Sequence, residues 1–164
     1  MPLRYVDPHR RRGSKYEQGV HFGRSKVGQF LARHVARRTD PILFRLTKGR
    51  VNMGPIINAP LRTLGAKSGK PREVQLTYFH DGSDVILVAS NFGQSKHPQW
   101  YYNLKANPDC TFGQEPFTAV QVTDPDEYER LYELAKRVYA GYGDYREKTQ
   151  DSGRQIPIFR LKPR

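Results

Sequence analysis

Glu73-Val74-Gln75-Leu76-Thr77-Tyr78-Phe79, then Asp81-Gly82, then Val85-Ile86-Leu87-Val88-Ala89, is the stretch that decides the fold. β-Branched and aromatic residues recur in both runs, and Asp-Gly between them is a hairpin turn signal. The second run is almost wholly apolar, as in a fully buried strand. Working outward, residues 57–64 read as a strand before this hairpin. Residues 109–114 and 116–123 read as two strands after it, and Ile156 to Leu161 as the last. A helix over 96–107 interrupts them and stops at Asn107-Pro108. Asp124-Pro125-Asp126-Glu127 opens a second helix, with Asp124 as cap, Pro125 at the first helical position and Glu127 reaching back. Tyr128, Tyr132, Ala135 and Tyr139 form its apolar stripe, and Gly141 is expected to end it. Short antiparallel strands broken by helices predict a mainly β, α+β fold: a small barrel with helices at its mouth.

The 164 residues suit one domain, and no repeat or linker divides residues 24–164. Cys110 is the only cysteine, which rules out an internal disulfide and fits a reducing compartment. With no apolar run of membrane-span length and no signal-like apolar region, the expected location is the cytoplasm, with membrane association as an option. The net charge of +12 is uneven. Residues 1–50 hold thirteen Lys/Arg against three Asp/Glu, a net of +10, and the other 114 residues add only +2. Residues 1–23 read as a poorly ordered or loosely docked basic arm. Residues 24–38 read as a basic amphipathic helix, with Val27, Phe30, Leu31, His34 and Val35 at helical spacing. Pro41 through Leu46 extend it after a break. Such a segment suits nucleic acid, an anionic membrane face or an acidic ligand tail. A nucleic-acid-binding module is the less favoured reading, because the aromatic elements lie far from this charge in sequence.

The chemistry concentrates in two elements. Leu61-Arg62-Thr63-Leu64-Gly65-Ala66-Lys67-Ser68-Gly69-Lys70-Pro71-Arg72 places four cations and hydroxyls around a glycine turn without an acid. A Walker loop does not fit, because only three residues separate Gly65 from Gly69 and Pro71 follows Lys70. Anion binding does fit: glycines let backbone N–H groups approach a phosphate, and Lys67, Ser68 and Arg72 complete the shell. A solvated basic hairpin loop fits the same spacing equally well. The second element is Pro98-Gln99-Trp100-Tyr101-Tyr102-Asn103-Leu104, whose Trp100 is suited either to stack on a ligand ring or to fill the core. Ala89-Ser90-Asn91-Phe92-Gly93 follows the most apolar strand, at a position suited to a ligand at a barrel rim or to an ordinary turn. Tyr139-Ala140-Gly141-Tyr142-Gly143-Asp144-Tyr145 reads as a mobile aromatic flap. A Gly-x-Ser-x-Gly elbow and a His-x-x-x-His pair are both missing, the five histidines are scattered, and no metal site is predicted. A pocket of this kind without acid–base machinery points to chemistry supplied by a cofactor.

Thr63-x-Gly65-x-Lys67-Ser68-Gly69-x-Pro71-Arg72, Ala89-Ser90-x-x-Gly93 and Pro98-x-Trp100-Tyr101-x-Asn103-Leu104-x-Ala106-Asn107-Pro108, in that order, resemble the deazaflavin-dependent nitroreductase family. The Tyr139/Tyr142/Tyr145 spacing and Ile156-Pro157-Ile158 are similar too, so the resemblance spans roughly residues 58–161. It implies an actinobacterial split β-barrel of flavin-reductase type, with reduced coenzyme F420 delivering hydride to a quinone or nitroaromatic. FMN is the alternative cofactor. The resemblance also implies that Lys67, Ser68 and Arg72 hold the cofactor phosphate and tail. Leu76, Ala89, Ser90, Asn91, Trp100 and Tyr101 would line the cofactor side. Tyr139, Tyr142 and Tyr145 would line the substrate side, with Tyr142 as the catalytic candidate. Where the family often has Asn-Pro-Leu-x-Tyr, this chain has Val74-Gln75-Leu76-Thr77; where lysine often follows the serine, it has Asn91. The small-molecule acceptor is the expected partner and nucleic acid is not; the 24–38 helix is expected to bury Val27, Phe30 and Leu31 on the barrel, with peripheral contact with a membrane that holds lipid-soluble quinone as the less favoured alternative.

Overall fold

The protein was analysed as a computed structural model, which describes residues 3–10, 57–150 and 152–164 together with isolated positions between 13 and 25. The expected helix over 24–38 and its extension after Pro41 lie outside the described residues, Ser25 aside. Six strands close into an antiparallel barrel in the order β1-β2-β3-β6-β5-β4. They are β1 Asn58–Leu64, β2 Pro71–Asp81, β3 Asp84–Val88, β4 Asp109–Phe112, β5 Glu115–Gln121 and β6 Ile158–Pro163. These are the predicted strands with shifted ends; the last starts at Ile158 and runs on to Pro163. Leu61, Ile86, Leu87, Phe112 and Leu161 are fully buried, which makes the barrel a packed core and not a channel.

Because every neighbouring pair is antiparallel, the C-terminal ends of β1, β3 and β5 share one rim with the N-terminal ends of β2, β4 and β6. The basic turn after Leu64 and the Ala89–Ser90 segment after Val88 therefore meet at the same end of the barrel. Helix α1, Gln99–Ala106, bridges toward β4 from that rim. Helix α2, Pro125–Val138, starts as expected: Asp124 Oδ1 accepts from Glu127 N–H at 2.8 Å, and Pro125 occupies the first turn. Glu127 does not reach back to the cap. Its carboxylate pairs with Arg160 of β6, which also binds Asp81 at 2.8 Å and Asp84 at 3.0 Å. Among the described residues no helix is long and apolar enough to cross a membrane.

Gly141 does not end the chain's last helical region. Helix α2 stops at Val138, Tyr139 caps it, and a third helix, α3, runs Gly141–Gln150. The glycine is required by a close approach instead. A Cβ at Gly141 would lie 2.4 Å from Cε1 and 2.5 Å from Cζ of the Tyr139 ring, whereas one at Gly143 would meet only Lys136 Cδ, at 3.7 Å. Gly141→Ala is expected to displace the Tyr139 ring and lower Tm. Gly143→Ala should raise stability by roughly 0.5–1 kcal/mol, as for a strain-free helical glycine. Paired thermal melts check this, and equal shifts of the same sign would refute it.

Part of the presumed arm is docked at the opposite rim. Val6 is buried; its N–H donates to His80 Nδ1 at 3.0 Å, and its carbonyl accepts His80 N–H at 2.9 Å. Tyr5 stacks on the His80 ring at 4.5 Å, and the Tyr78 hydroxyl donates to the Arg4 carbonyl at 2.7 Å. Leu3 N–H donates to Glu115 Oε1 at 2.9 Å. The accepting Nδ1 requires a neutral ring, and burial lowers the His80 pKa, against the opposing pull of Glu115. The sign follows: the docking contribution is full above the ordinary histidine value of 6.5 and is lost as pH falls below it, because the released ring binds protons that the docked ring does not. The opening equilibrium of the Val6 amide, its exchange rate divided by the intrinsic rate at each pH, should rise as pH falls from about 6.5 to 5. A pH-independent opening equilibrium over that range would contradict it.

Candidate functional site

The basic run forms a protruding turn that is self-bonded at its base. Gly65 N–H donates to the Lys70 carbonyl at 2.9 Å, and Gly69 N–H, in the left-handed region at φ 62°, donates to the Gly65 carbonyl at 2.8 Å. Lys70 N–H reaches Ser68 Oγ at 3.3 Å. A Cβ at Gly65 would sit 2.6 Å from Ser68 Oγ and 3.6 Å from Arg72 Nε, so the glycine lets both side chains close over the backbone. Lys67, Ser68, Lys70 and Arg72 are all exposed. The result is an exposed cluster of cations and donors without an acid, of the kind that suits an anion.

One buried asparagine fastens this turn to α1. Asn103 is 2% exposed; its Oδ1 accepts Ala66 N–H at 3.0 Å, and its Nδ2 donates to Thr63 Oγ1 at 3.0 Å. A single amide thus satisfies one group on each side of Gly65 and fixes the turn against the helix that carries Trp100 and Tyr101. The sequence motif alone assigns Asn103 no role. The pairing across some forty residues left no local signal beyond a polar residue on an otherwise packed helix face.

Trp100 belongs to the core: it is 6% exposed and packs on Phe159 with ring centroids 5.9 Å apart. The more accessible aromatic of α1 is Tyr101, half-buried and stacked on His97 at 4.4 Å. Leu76 is also half-buried. It shares a β2 face with Tyr78, whose ring meets Phe112 at 5.1 Å.

Ala89 and Ser90 lie at the rim as expected, but a residue absent from the sequence reading holds them. Arg154 donates from Nη2 to the Ser90 carbonyl at 2.6 Å and from Nη1 to the Ala89 carbonyl at 3.3 Å, and Nη1 also lies 3.1 Å from His97 Nδ1. Burial lowers the pKa of this guanidinium, and no carboxylate among the described residues pairs with it. Burial first and Arg154 second also lower the His97 pKa, which suits an imidazole that accepts from the arginine. Asn91 turns inward on its own loop: Nδ2 donates to the Lys96 carbonyl at 2.8 Å and lies 3.3 Å from Gln94 Oε1. Asn91 and Phe92 both adopt positive φ, at 48° and 56°, which marks a tightly folded loop.

The three tyrosines do not form a mobile flap. Tyr139, Tyr142 and Tyr145 are 8%, 5% and 3% exposed, and their rings meet one another at 5.6–6.2 Å. Tyr132 Oη donates to the Tyr142 carbonyl at 2.8 Å, which locks α3 to α2. Two glycines in seven residues had suggested mobility, but one is a close-approach site and α3 packs as a helix. Burial raises the Tyr142 pKa above the ordinary phenol value, and its hydroxyl bonds the Thr77 side chain. Thr77 Oγ1 donates to Asn58 Oδ1 at 2.8 Å. This tyrosine cluster joins the rim through α3: Phe92 meets Tyr145 at 6.0 Å, and a Cβ at Gly93 would lie 3.2 Å from Tyr145 Cα. The basic turn, residues 89–91 and Tyr101 are thus neighbours on one rim, with the tyrosines beside them.

A family model described as F420H(2)-dependent quinone reductase matches residues 34–163. The chain is 38% identical over 152 residues to a Mycobacterium tuberculosis (strain H37Rv) protein named F420H(2)-dependent quinone reductase, covering 84% of this chain and 99% of that protein. Among solved structures, one described as an F420-H2 dependent reductase shares 36% identity at TM-score 0.56, covering 64% of this chain and 93% of its own. Another, described as a domain-swapped dimer, shares 33% identity at TM-score 0.59, covering 82% of this chain and 98% of its own. Family and relatives alike name F420H(2), and the FMN alternative draws no support from them.

Proposed function

The chain belongs to the F420H(2)-dependent quinone reductase family, an oxidoreductase family, and we propose that it transfers hydride from reduced coenzyme F420 to a quinone, with nitroaromatics as a second acceptor class. The observation that carries the reading is the acid-free turn of Lys67, Ser68, Lys70 and Arg72, bound through Asn103 to α1 and opening on the Ala89–Ser90 rim. Its exposed cations and turn backbone suit the phosphate and carboxylate tail of this cofactor. When bound, the reduced deazaflavin supplies the hydride.

The remaining work falls to the chain's own residues. Lys67, Ser68 and Arg72 hold the phosphate. Arg154 presents the Ser90 backbone by anchoring its carbonyl. Tyr101 gives the ring an apolar bed, and packed Trp100 stiffens the helix beneath it. Tyr139, Tyr142 and Tyr145 shape the acceptor side and exclude water, which strengthens every polar contact there. The Tyr142 ring acts by orienting the acceptor, and solvent supplies the proton. The basic segment before residue 57 is suited to bring the enzyme to a cytoplasmic membrane face where lipid-soluble quinone resides. Anaerobic fluorescence titration with F420 and with FMN tests the reading: saturable F420 binding that weakens with salt is expected. Tight FMN binding without response to F420 would overturn it.

A further inference from the structure

The outer row of β2 contains one polar side chain that finds no hydrogen-bond partner among the described residues. Alternation along the strand puts Glu73, Gln75 and Thr77 on one face, opposite Tyr78 and the barrel interior. Glu73 is held by Arg62 at 2.7 Å. Thr77 is held by Asn58 at 2.8 Å and by the Tyr142 hydroxyl. Between them, both Nε2 and Oε1 of Gln75 are shut off from solvent without a hydrogen-bond partner. The cross-strand neighbour of Gln75 is Pro60, which has no N–H and no polar side chain to offer. A buried amide left unmatched at both ends carries its full desolvation cost, and such groups in native proteins call for a specific explanation.

We propose that the Gln75 carboxamide is the hydrogen-bonding contact for the oxygen of a quinone acceptor, an inference that rests on the reductase reading and assigns it a specificity residue. The position is right: Gln75 lies one residue pair along the strand from Thr77, the residue that anchors Tyr142. The chemistry is right as well. A quinone oxygen only accepts hydrogen bonds, whereas the hydroquinone hydroxyl also donates, and a carboxamide matches both states through Nε2–H and Oε1. As hydride adds to the quinone ring, the carbonyl π electrons move onto oxygen. The quinone is reduced by two electrons and the reduced deazaflavin is oxidised by two; a solvent proton adds to that oxygen, and the ring carbon that took the hydride then loses a proton to solvent as the second carbonyl oxygen gains one, which gives the hydroquinone. An Nε2–H donor aimed at the first oxygen stabilises the charge as it develops.

The test compares wild type with Gln75→Leu, and with Gln75→Met as an unbranched replacement should the leucine variant not fold. A soluble naphthoquinone is the probe. Three readouts are taken: Tm of the free protein, naphthoquinone affinity of the free protein, and steady-state kinetics with F420H2. We expect Tm equal to or above that of wild type, because an unmatched amide is removed. Naphthoquinone affinity should fall and KM should rise by roughly tenfold, with F420 affinity unchanged. Unchanged quinone affinity and KM would overturn the inference. So would a lower Tm with unchanged KM, which would mean that a buried water serves the amide. If wild type binds the naphthoquinone but never oxidises F420H2, the reductase reading fails; if wild type turns over and both variants match it, only the Gln75 assignment fails.

Discussion

Lys67→Ala combined with Arg72→Ala is expected to weaken F420 binding by at least about 100-fold while leaving the barrel intact. Each charge-assisted contact to phosphate contributes roughly 1.5–3 kcal/mol, so two together correspond to about 10²–10⁴ in affinity. Both side chains are exposed and neither serves the core, so Tm should move by no more than a degree or two. The residual binding of the double variant should also lose much of its salt dependence. Fluorescence titration at two ionic strengths is the check. Wild-type affinity in the double variant would remove the anion-site assignment, whatever the enzyme's activity.

Arg160→Ala should give the largest loss of stability. Its guanidinium joins three elements, binding Asp81 at the end of β2, Asp84 at the start of β3 and Glu127 in α2. The side chain is 16% exposed, and its carboxylate partners are 19–35% exposed. Removing it leaves Asp84 and Glu127 unmatched, while Asp81 keeps its bidentate contact with Arg130 at 2.8 and 3.0 Å. Breaking a fully buried pair costs about 3–5 kcal/mol, and partial solvation reduces this to about 2–3 kcal/mol here, or a Tm loss of roughly 5–10 °C. Arg164→Ala is the control. That arginine meets Asp109 at 3.1 Å with both side chains about half exposed, so the change should be within about 1 kcal/mol. The network also sets a pH signature. Arg130 first, with Arg160, lowers the Asp81 pKa from 3.8 to about 2. Its contribution is therefore present above the unfolded value and lost as pH falls toward the folded one, so the Tm gap between wild type and Arg160→Ala should narrow across that interval. A gap that widens on acidification would contradict the assignment.

The barrel was legible because strand signals are local. Alternation in Glu73 to Phe79, the Asp81-Gly82 turn and the apolar run from Val85 each report on a few neighbouring residues, and the register extends them into a closed sheet. The α2 cap was legible for the same reason. Helix α3 was not, because glycine carries two meanings that sequence alone does not separate. At Gly141 the missing Cβ makes room for the Tyr139 ring, and reading it as a helix stop turned a packed helix into a flap. Lys67, Ser68, Arg72 and Ser90 were legible as candidates because their residue types advertise anion and rim chemistry. Asn103 and Arg154 assemble those candidates through bonds spanning 37 to 65 residues. Contacts of that separation leave no period and no spacing to read. Gln75 was visible only as a departure from the family pattern, and its unmatched amide emerges only from the packing around it.

The central claim, hydride transfer from F420H2 to a quinone at this rim, is tested most directly by a single-turnover experiment. Protein loaded anaerobically with F420H2 is mixed rapidly with a soluble naphthoquinone, and deazaflavin oxidation is followed by absorbance. The account predicts stoichiometric oxidation of the bound cofactor, at a rate that saturates with quinone and exceeds that of free F420H2 with the same quinone. Oxidation no faster than in free solution, with the cofactor shown to be bound, would contradict it.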